Sequence, residues 1–164
     1  MAVCLVNLRP VAFLTAVFTV ACFVLSGLTV FAQPDVSASC AALMVAETGE
    51  LIYGKNEHDR RSMASTTKIM TSLLAIEALT PQRKITVSAD MLNVEGTSMG
   101  LLPGDTVTLE GLVYGMLLQS GNDAANVTAI TLGGNVENFV SMMNKRAGEI
   151  GMNDTHFETP SGLD

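Results

Sequence analysis

Ser65-Thr66-Thr67-Lys68-Ile69-Met70-Thr71-Ser72-Leu73-Leu74-Ala75-Ile76-Glu77-Ala78-Leu79 is the stretch on which the fold turns. Ile69, Met70, Leu73, Leu74, Ala78 and Leu79 recur at helical spacing and predict a helix over Ser65 to Leu79 with one apolar stripe. Pro81 cannot continue it, because proline lacks the N–H that the next turn needs. The first residue of this helix is a serine and the fourth is a lysine. Positions i and i+3 share a helix face, so the hydroxyl and the amine can meet.

Upstream, residues 33–39 read as a short polar linker. Cys40 to Ala46 and Leu51 to Gly54 are apolar runs on either side of Glu47-Thr48-Gly49-Glu50, the pattern of a β-hairpin with a four-residue loop. Residues 55–64 are polar and irregular. Downstream, Lys84 to Val87 suits a short strand, and residues 88–105 are rich in turn formers such as Gly96, Gly100, Pro103 and Gly104. Thr108 then caps a helical segment running to Gln119. Ser120-Gly121-Asn122 breaks it, and Asp123 opens a second segment ending at Gly133-Gly134. Asn135 opens a third over residues 136–150, with Gly151 as its stop. Residues 155–164 read as loop. No repeat or low-complexity tract is visible.

Two strands do not make a stable sheet on their own. A sheet begun by the hairpin should be completed by later strands, and none is legible before the chain stops at Asp164. The expected class is therefore α+β: an N-terminal β-hairpin and a largely helical lobe, with the rest of an antiparallel sheet missing from this chain.

The 164 residues suffice for one domain. All 16 acidic residues lie beyond residue 32, as do eight of the nine basic ones, leaving a net −8 there. That balance speaks against a nucleic-acid partner, which wants a basic face for the phosphates, and against a polybasic membrane patch. Residues 1–32 read as an export signal. Arg9 is the basic flank, Val11 to Val30 carries no charge, and Val30-Phe31-Ala32 offers a cleavage site before Gln33. A retained transmembrane helix is the rival reading. A lipid anchor on Cys22 is disfavoured by Thr19, where such sites want a large apolar residue. Cys4 and Cys22 leave with the signal, so Cys40 remains alone, expected as a small buried residue without a disulfide. His58 and His156 are isolated, and no Cys/His cluster has metal spacing. Neither a metal nor a cofactor is expected.

A serine hydroxyl is a weak nucleophile until a neighbouring base takes its proton. Lysine can be that base when burial or nearby positive charge destabilises its ammonium. Alone, Ser65-x-x-Lys68 also fits an exposed helix-start serine with an unrelated lysine. Ser120-Gly121-Asn122, 55 residues further on, can aim a hydroxyl and a carboxamide into a cleft from between two helices. Alone, it also fits an ordinary interhelical turn. Each motif occurs once, and each lies on an element suited to it.

The pair resembles the first two motifs of β-lactamases and penicillin-binding proteins. Met63 to Thr71 is similar to the stretch around the active serine of D-alanyl-D-alanine carboxypeptidases. Glu47-Thr48-Gly49 with Leu51 and Asn56 resembles their opening hairpin. Ser120 to Ala125, Phe139 to Asn144 before Gly151-Met152, and Pro160 to Asp164 resemble further parts of that family. The likeness covers residues 40–164. It implies a DD-peptidase/β-lactamase-like fold, of which residues 40–164 form the N-terminal part of the catalytic domain.

The resemblance also implies roles. Ser65 attacks the carbonyl between the two terminal D-alanines of a peptidoglycan stem peptide, and Lys68 is the general base. Ser120 relays a proton to the departing D-alanine, and Asn122 orients the substrate. β-Lactams would trap Ser65 as an ester. Export would place the site outside the cytoplasmic membrane, in the periplasm or in the cell wall. The membrane would be reached only through an uncleaved signal or a C-terminal anchor beyond Asp164. One departure stands out: none of Lys55, Lys68, Lys84 and Lys145 is followed by Thr-Gly or Ser-Gly, the family's third motif. A truncated or weakly active enzyme therefore competes with three other readings. These are a β-lactamase-like hydrolase, a penicillin sensor acylated without turnover, and a non-folding fragment. Gly121 in the middle of the second motif, and Asp123-Ala124-Ala125 after it, favour the carboxypeptidase over the β-lactamase.

Overall fold

The computed structural model describes Pro34, residues 36–78, Thr80 and residues 82–163. The expected export segment over residues 1–32 lies outside these, as do Leu79 and Pro81 at the expected end of the first helix. Among the described residues, no helix is long and apolar enough to cross a membrane. The chain divides between Asp59 and Arg60 into two compact units.

The first unit is the expected hairpin. Strand β1 (Ala41–Met44) pairs antiparallel with β2 (Leu51–Lys55), Ala42 opposite Gly54, with a register shift between Leu43 and Met44. The connection closes through Gly49 N–H to the Val45 carbonyl at 2.8 Å, and Gly49 holds a φ of 72° that glycine adopts at little cost. Three side chains tie the preceding segment down: Tyr53 to the Pro34 carbonyl, Lys55 to that of Val36 and Asn56 to that of Ser39. Cys40, expected to be buried, is only partly so. Leu43, Met44, Leu51 and Ile52 are exposed.

In the second unit a 3-10 turn (Ala64–Thr67) leads into α1 (Lys68–Glu77), which is followed by β3 (Lys84–Thr86) and a 3-10 turn (Ala89–Leu92). After these come β4 (Thr106–Thr108), α2 (Leu109–Gln119), α3 (Asn122–Gly133) and α4 (Val136–Glu149). The three later helices match the expected ones. Thr108 Oγ1 accepts from Gly111 N–H at 3.0 Å and Asn135 Oδ1 from Asn138 N–H at 2.7 Å, each satisfying a donor that the helix start leaves free. Strand β4 was not expected. It pairs antiparallel with β3, Ile85 opposite Val107, as a separate two-stranded sheet. Its three residues adjoin a turn-rich segment and show no alternation long enough to read.

Helix α3 is the centre of the unit, with every residue from Asn122 to Ala129 buried. Ala124, Ala125 and Ala129 let neighbouring helices approach closely. On one side α3 meets a core of Ala75, Leu109, Leu112 and Met116. On the other it meets Met70, Phe139, Met143 and Phe157. Phe139 is fully buried, and truncating such a residue to alanine typically costs about 3–5 kcal/mol.

The stripe read on α1 is buried only in part: Met70 is buried and Leu73, Leu74 and Ala78 pack partly buried against the cores, but Ile69 is not covered. Lys68, Met70, Thr71, Ser72 and Ala75 are buried, whereas Ile69 and Ile76 are 64% and 59% exposed. Lys68, Thr71, Ser72 and Ala75 follow the i, i+3, i+4, i+7 spacing of one face. That face is largely polar: Lys68 and Thr71 turn inward onto the Ser161 and Pro160 carbonyls, while the Ser72 hydroxyl is buried without a hydrogen-bond partner.

Candidate active site

Ser65 lies in the 3-10 turn that feeds α1, not in the first α-helical turn. Ala64 is the reason: its φ of 46° is left-handed, and the chain enters the helix through it. Such a conformation costs a non-glycine residue on the order of 1–3 kcal/mol and needs support from its surroundings. Part of that support is Gly162, itself at φ 75°. A Cβ there would stand 1.9 Å from the Ala64 carbonyl oxygen and 2.7 Å from Thr67 Oγ1, so the loop packs backbone against backbone.

Ser65 is exposed and Lys68 is 1% exposed. Lys68 Nζ lies 3.1 Å from Ser65 Oγ and donates to the Ser161 carbonyl at 3.0 Å. Burial holds the Lys68 amine below the usual lysine range, because taking an ammonium out of water favours the neutral form. A neutral amine can keep one N–H on Ser161 and turn its lone pair to the Ser65 hydroxyl. That arrangement can accept the proton of an attacking serine.

The loop that carries Ser161 is anchored to two helices. Thr71 Oγ1 donates to the Pro160 carbonyl at 2.6 Å in a buried contact. From α4, Asn144 Nδ2 donates to the Phe157 carbonyl and Asn144 Oδ1 accepts from Phe157 N–H, both at 2.8 Å. A cleft of about 230 Å³ lies between this loop and the segment ahead of Ser65, with Ser62, Met63, Thr67 and His156 in its wall. A larger cleft, about 320 Å³, is lined by Ala75, Ile76, Val113 and Tyr114, and neither cleft has Ser65 or Lys68 in its wall. Chemistry, and not size, singles out the surroundings of Ser65.

The second motif stands at the break between α2 and α3. Ser120 caps α2 in the left-handed region, φ 55°, its N–H on the Gly115 carbonyl. Its own carbonyl accepts from Thr97 Oγ1 at 2.6 Å. Asn122 is buried, with its backbone N–H on the Thr97 carbonyl and Nδ2 on the Glu95 carbonyl, each at 2.7 Å. One of the two N–H donors of the carboxamide is therefore occupied within the protein. No hydrogen bond joins Ser120 or Asn122 directly to Ser65 or Lys68 among the described contacts. The 160–163 loop braces the first motif: Ser161 holds Lys68, and Gly162 lies on Ala64. A Cβ on Gly96 would stand 2.5 Å from Asn122 Nδ2 and 3.9 Å from Leu163 Cδ1.

Sequence reasoning missed two contributors. The Ser161 carbonyl acts as a backbone atom, which no side-chain motif marks. The sequence marks Asp123 as a helix start and as part of the family-like run Ser120 to Ala125, but not that its carboxylate accepts five hydrogen bonds, from Ser98 Oγ and from the N–H groups of Met99, Gly100, Leu101 and Ala124. Burial pushes this carboxyl up, but the Ser98 hydroxyl and the backbone donors outweigh it and hold it below the usual carboxylate range. A turn-rich segment with many uncommitted N–H groups, followed by an acidic residue at a helix start, was the available signal. Among the described residues, no cluster of three or more His, Cys, Asp or Glu side chains is arranged to hold a metal ion.

Known proteins resemble this chain in sequence and fold. The profile of the family described as D-alanyl-D-alanine carboxypeptidase matches residues 28–164. The D-alanyl-D-alanine carboxypeptidase DacF of Bacillus subtilis is 38% identical over 131 residues, 77% of this chain and 34% of its own length. DacD of Escherichia coli is 37% identical over 142 residues, 80% of this chain and 37% of its own length. Among solved structures, the carboxypeptidase DacD from Francisella tularensis superposes with a TM-score of 0.76 at 37% identity, over 81% of this chain and 33% of that one. Penicillin binding protein 6B from Escherichia coli gives 0.76 at 35%, over 84% and 47%. The chain thus spans about a third to a half of the length of the curated relatives it matches.

Proposed function

This chain belongs to the D-alanyl-D-alanine carboxypeptidase family, and from that membership we propose that it is the part of a serine DD-peptidase that carries the acylated nucleophile. Ser65 Oγ attacks the carbonyl carbon of the penultimate D-alanine in a peptidoglycan stem peptide, and its proton passes to Lys68 Nζ. The tetrahedral adduct collapses as the C–N bond breaks, and Ser120 relays a proton to the departing D-alanine amine. Water then hydrolyses the ester and regenerates Ser65. Asn122 holds the substrate peptide group through its remaining carboxamide capacity. β-Lactams acylate the same oxygen and leave slowly.

The observation that carries this reading is the 3.1 Å approach of a buried Lys68 amine, its pKa lowered by that burial, to an exposed Ser65 hydroxyl. Residues 1–32 are proposed to direct export with cleavage before Gln33, so that Ser65 works on the outer face of the cytoplasmic membrane, in the periplasm or in the cell wall. Residues 33–39 are then a linker, and residues 40–164 the N-terminal part of the catalytic domain.

The test is covalent labelling. A fluorescent penicillin should attach to the protein with one adduct, peptide mapping should place it on Ser65, and Ser65→Ala should abolish it. Release of D-alanine from a peptide ending in D-Ala-D-Ala should depend on the same residue. Labelling without D-alanine release would reduce the assignment to a penicillin sensor. Labelling that survives Ser65→Ala would overturn it.

A further inference from the structure

We propose that Asp123 is the positioning residue of the second motif, its carboxylate clamping the Ser98–Leu101 loop onto the start of α3 so that Ser120 and Asn122 are held in working geometry. The inference rests on the reading of Ser65 as the acylated serine.

Asp123 is 5% exposed, so its charge must be matched inside the protein. Four of its five donors lie 22–25 residues upstream: Ser98 Oγ at 2.6 Å, Met99 N–H at 2.9 Å, Gly100 N–H at 3.1 Å and Leu101 N–H at 3.0 Å. The fifth is the neighbouring Ala124 N–H at 2.9 Å. Three successive backbone N–H groups converging on one carboxylate fix the path of that loop. The same loop also meets the motif just before this point, through Thr97 to Ser120 and Asn122 and through Glu95 to the Asn122 carboxamide. A single carboxylate therefore sets where both Ser120 and Asn122 stand. The packing leaves no slack: a Cβ on Gly121 would come within 2.8 Å of Asp123 Oδ1 and 3.0 Å of Met99 N, and one on Gly115 within 2.2 Å of Met99 Sδ.

Asparagine is nearly isosteric here but replaces an acceptor with an N–H₂ donor. Every surrounding partner is itself a donor, so at least one amide must lose its acceptor. Asp123→Asn should loosen the loop and misplace the motif, and a shift of about 1 Å at a positioning group can cost on the order of 10²-fold in rate. The helix α1 pair is untouched, so the pH dependence set by Lys68 should keep its midpoint while its plateau falls.

The experiment compares the whole protein with Asp123→Asn and Ser98→Ala by amide hydrogen exchange and by the rate of acylation with a fluorescent penicillin from pH 5 to 10. Asp123→Asn should speed exchange at residues 97–101 and at Asn122, leave α4 unchanged and slow acylation about 100-fold with the midpoint unmoved. Ser98→Ala, which keeps the carboxylate and its backbone donors, should do the same more weakly, about tenfold in rate. If Asp123→Asn does not fold, Ser98→Ala carries the decision alone. Parental exchange in that segment, or parental acylation with a loosened loop, overturns the proposal. A parent protein that is never acylated would instead sink the reading of Ser65, and the exchange pattern alone would then decide whether Asp123 clamps the loop.

Discussion

Lys68 Nζ donates a 3.0 Å hydrogen bond to the carbonyl oxygen of Ser161, 93 residues later in the chain. This contact holds the amine at the end of a flexible stem in one place, 3.1 Å from Ser65. It also leaves the amine buried against a neutral acceptor, with no ion pair to a carboxylate among the described residues, the setting in which a lysine gives up its proton readily.

Acylation of Ser65 should therefore rise with pH through the folded-state pKa of Lys68, which lies below the ordinary lysine range. Below that pH the amine is protonated and cannot take the serine proton. Lys68→Arg keeps a cation but not a base, since guanidinium does not deprotonate in this range. Loss of a general base is expected to cost about 10²–10⁴-fold. Penicillin acylation rates from pH 5 to 10 check both, and a flat profile in the parent would remove Lys68 from the base role.

Loop anchoring gives the next expectation. Thr71→Val preserves shape but leaves the buried Pro160 carbonyl without its 2.6 Å donor. An unpaired buried group of this kind costs about 1–3 kcal/mol. Asn144→Ala removes a donor and an acceptor from Phe157 at once and should cost at least as much. Thermal melts read the loss. Acylation should slow as well in both variants, because the same loop carries Ser161.

Gly162→Ala should be worse than either. Its φ of 75° already disfavours a side chain, by roughly 1–2 kcal/mol. The new Cβ would also meet the Ala64 carbonyl, a backbone atom that cannot swing aside. The Ala64–Thr67 turn must shift, and Ser65 moves with it. A lowered melting temperature together with slowed labelling is expected. Unchanged labelling would mean that the loop does not brace the nucleophile.

Much of this was legible because it is local. The spacing of Ser65 and Lys68, the caps at Thr108 and Asn135, and the break at Ser120-Gly121-Asn122 each follow from a few adjacent residues and were read correctly. What escaped depends on distant partners. Apolar periodicity placed Met70, Leu73 and Leu74 inward on α1, but the burial of Lys68 and Thr71 against Ser161 and Pro160, and the exposure of Ile69, depend on residues far along the chain. β4 exists only as the partner of β3. The left-handed Ala64 is held in part by packing against Gly162, and Asp123 acquires its function from amides more than 20 residues upstream.

Buried Lys68 should also mark the pH dependence of stability. The unfolded chain keeps the lysine proton up to the ordinary lysine pKa, while the folded protein releases it at lower pH. Between those two values the unfolded state binds more protons, so stability rises with pH across that window. Below the folded pKa the full penalty for burying the ammonium is present, and above the unfolded one it is gone. Lys68→Met keeps the apolar stem and removes the titrating group, so the alkaline rise should disappear. At neutral pH two effects oppose each other: the burial penalty is relieved, but the Ser161 carbonyl loses its donor, at about 1–3 kcal/mol. The sign at one pH is thus a weaker test than the slope. Melting temperatures of parent and Lys68→Met from pH 6 to 11 should converge or cross in the direction of a relatively more stable parent at high pH. Parallel curves would show that Lys68 folds with its proton on.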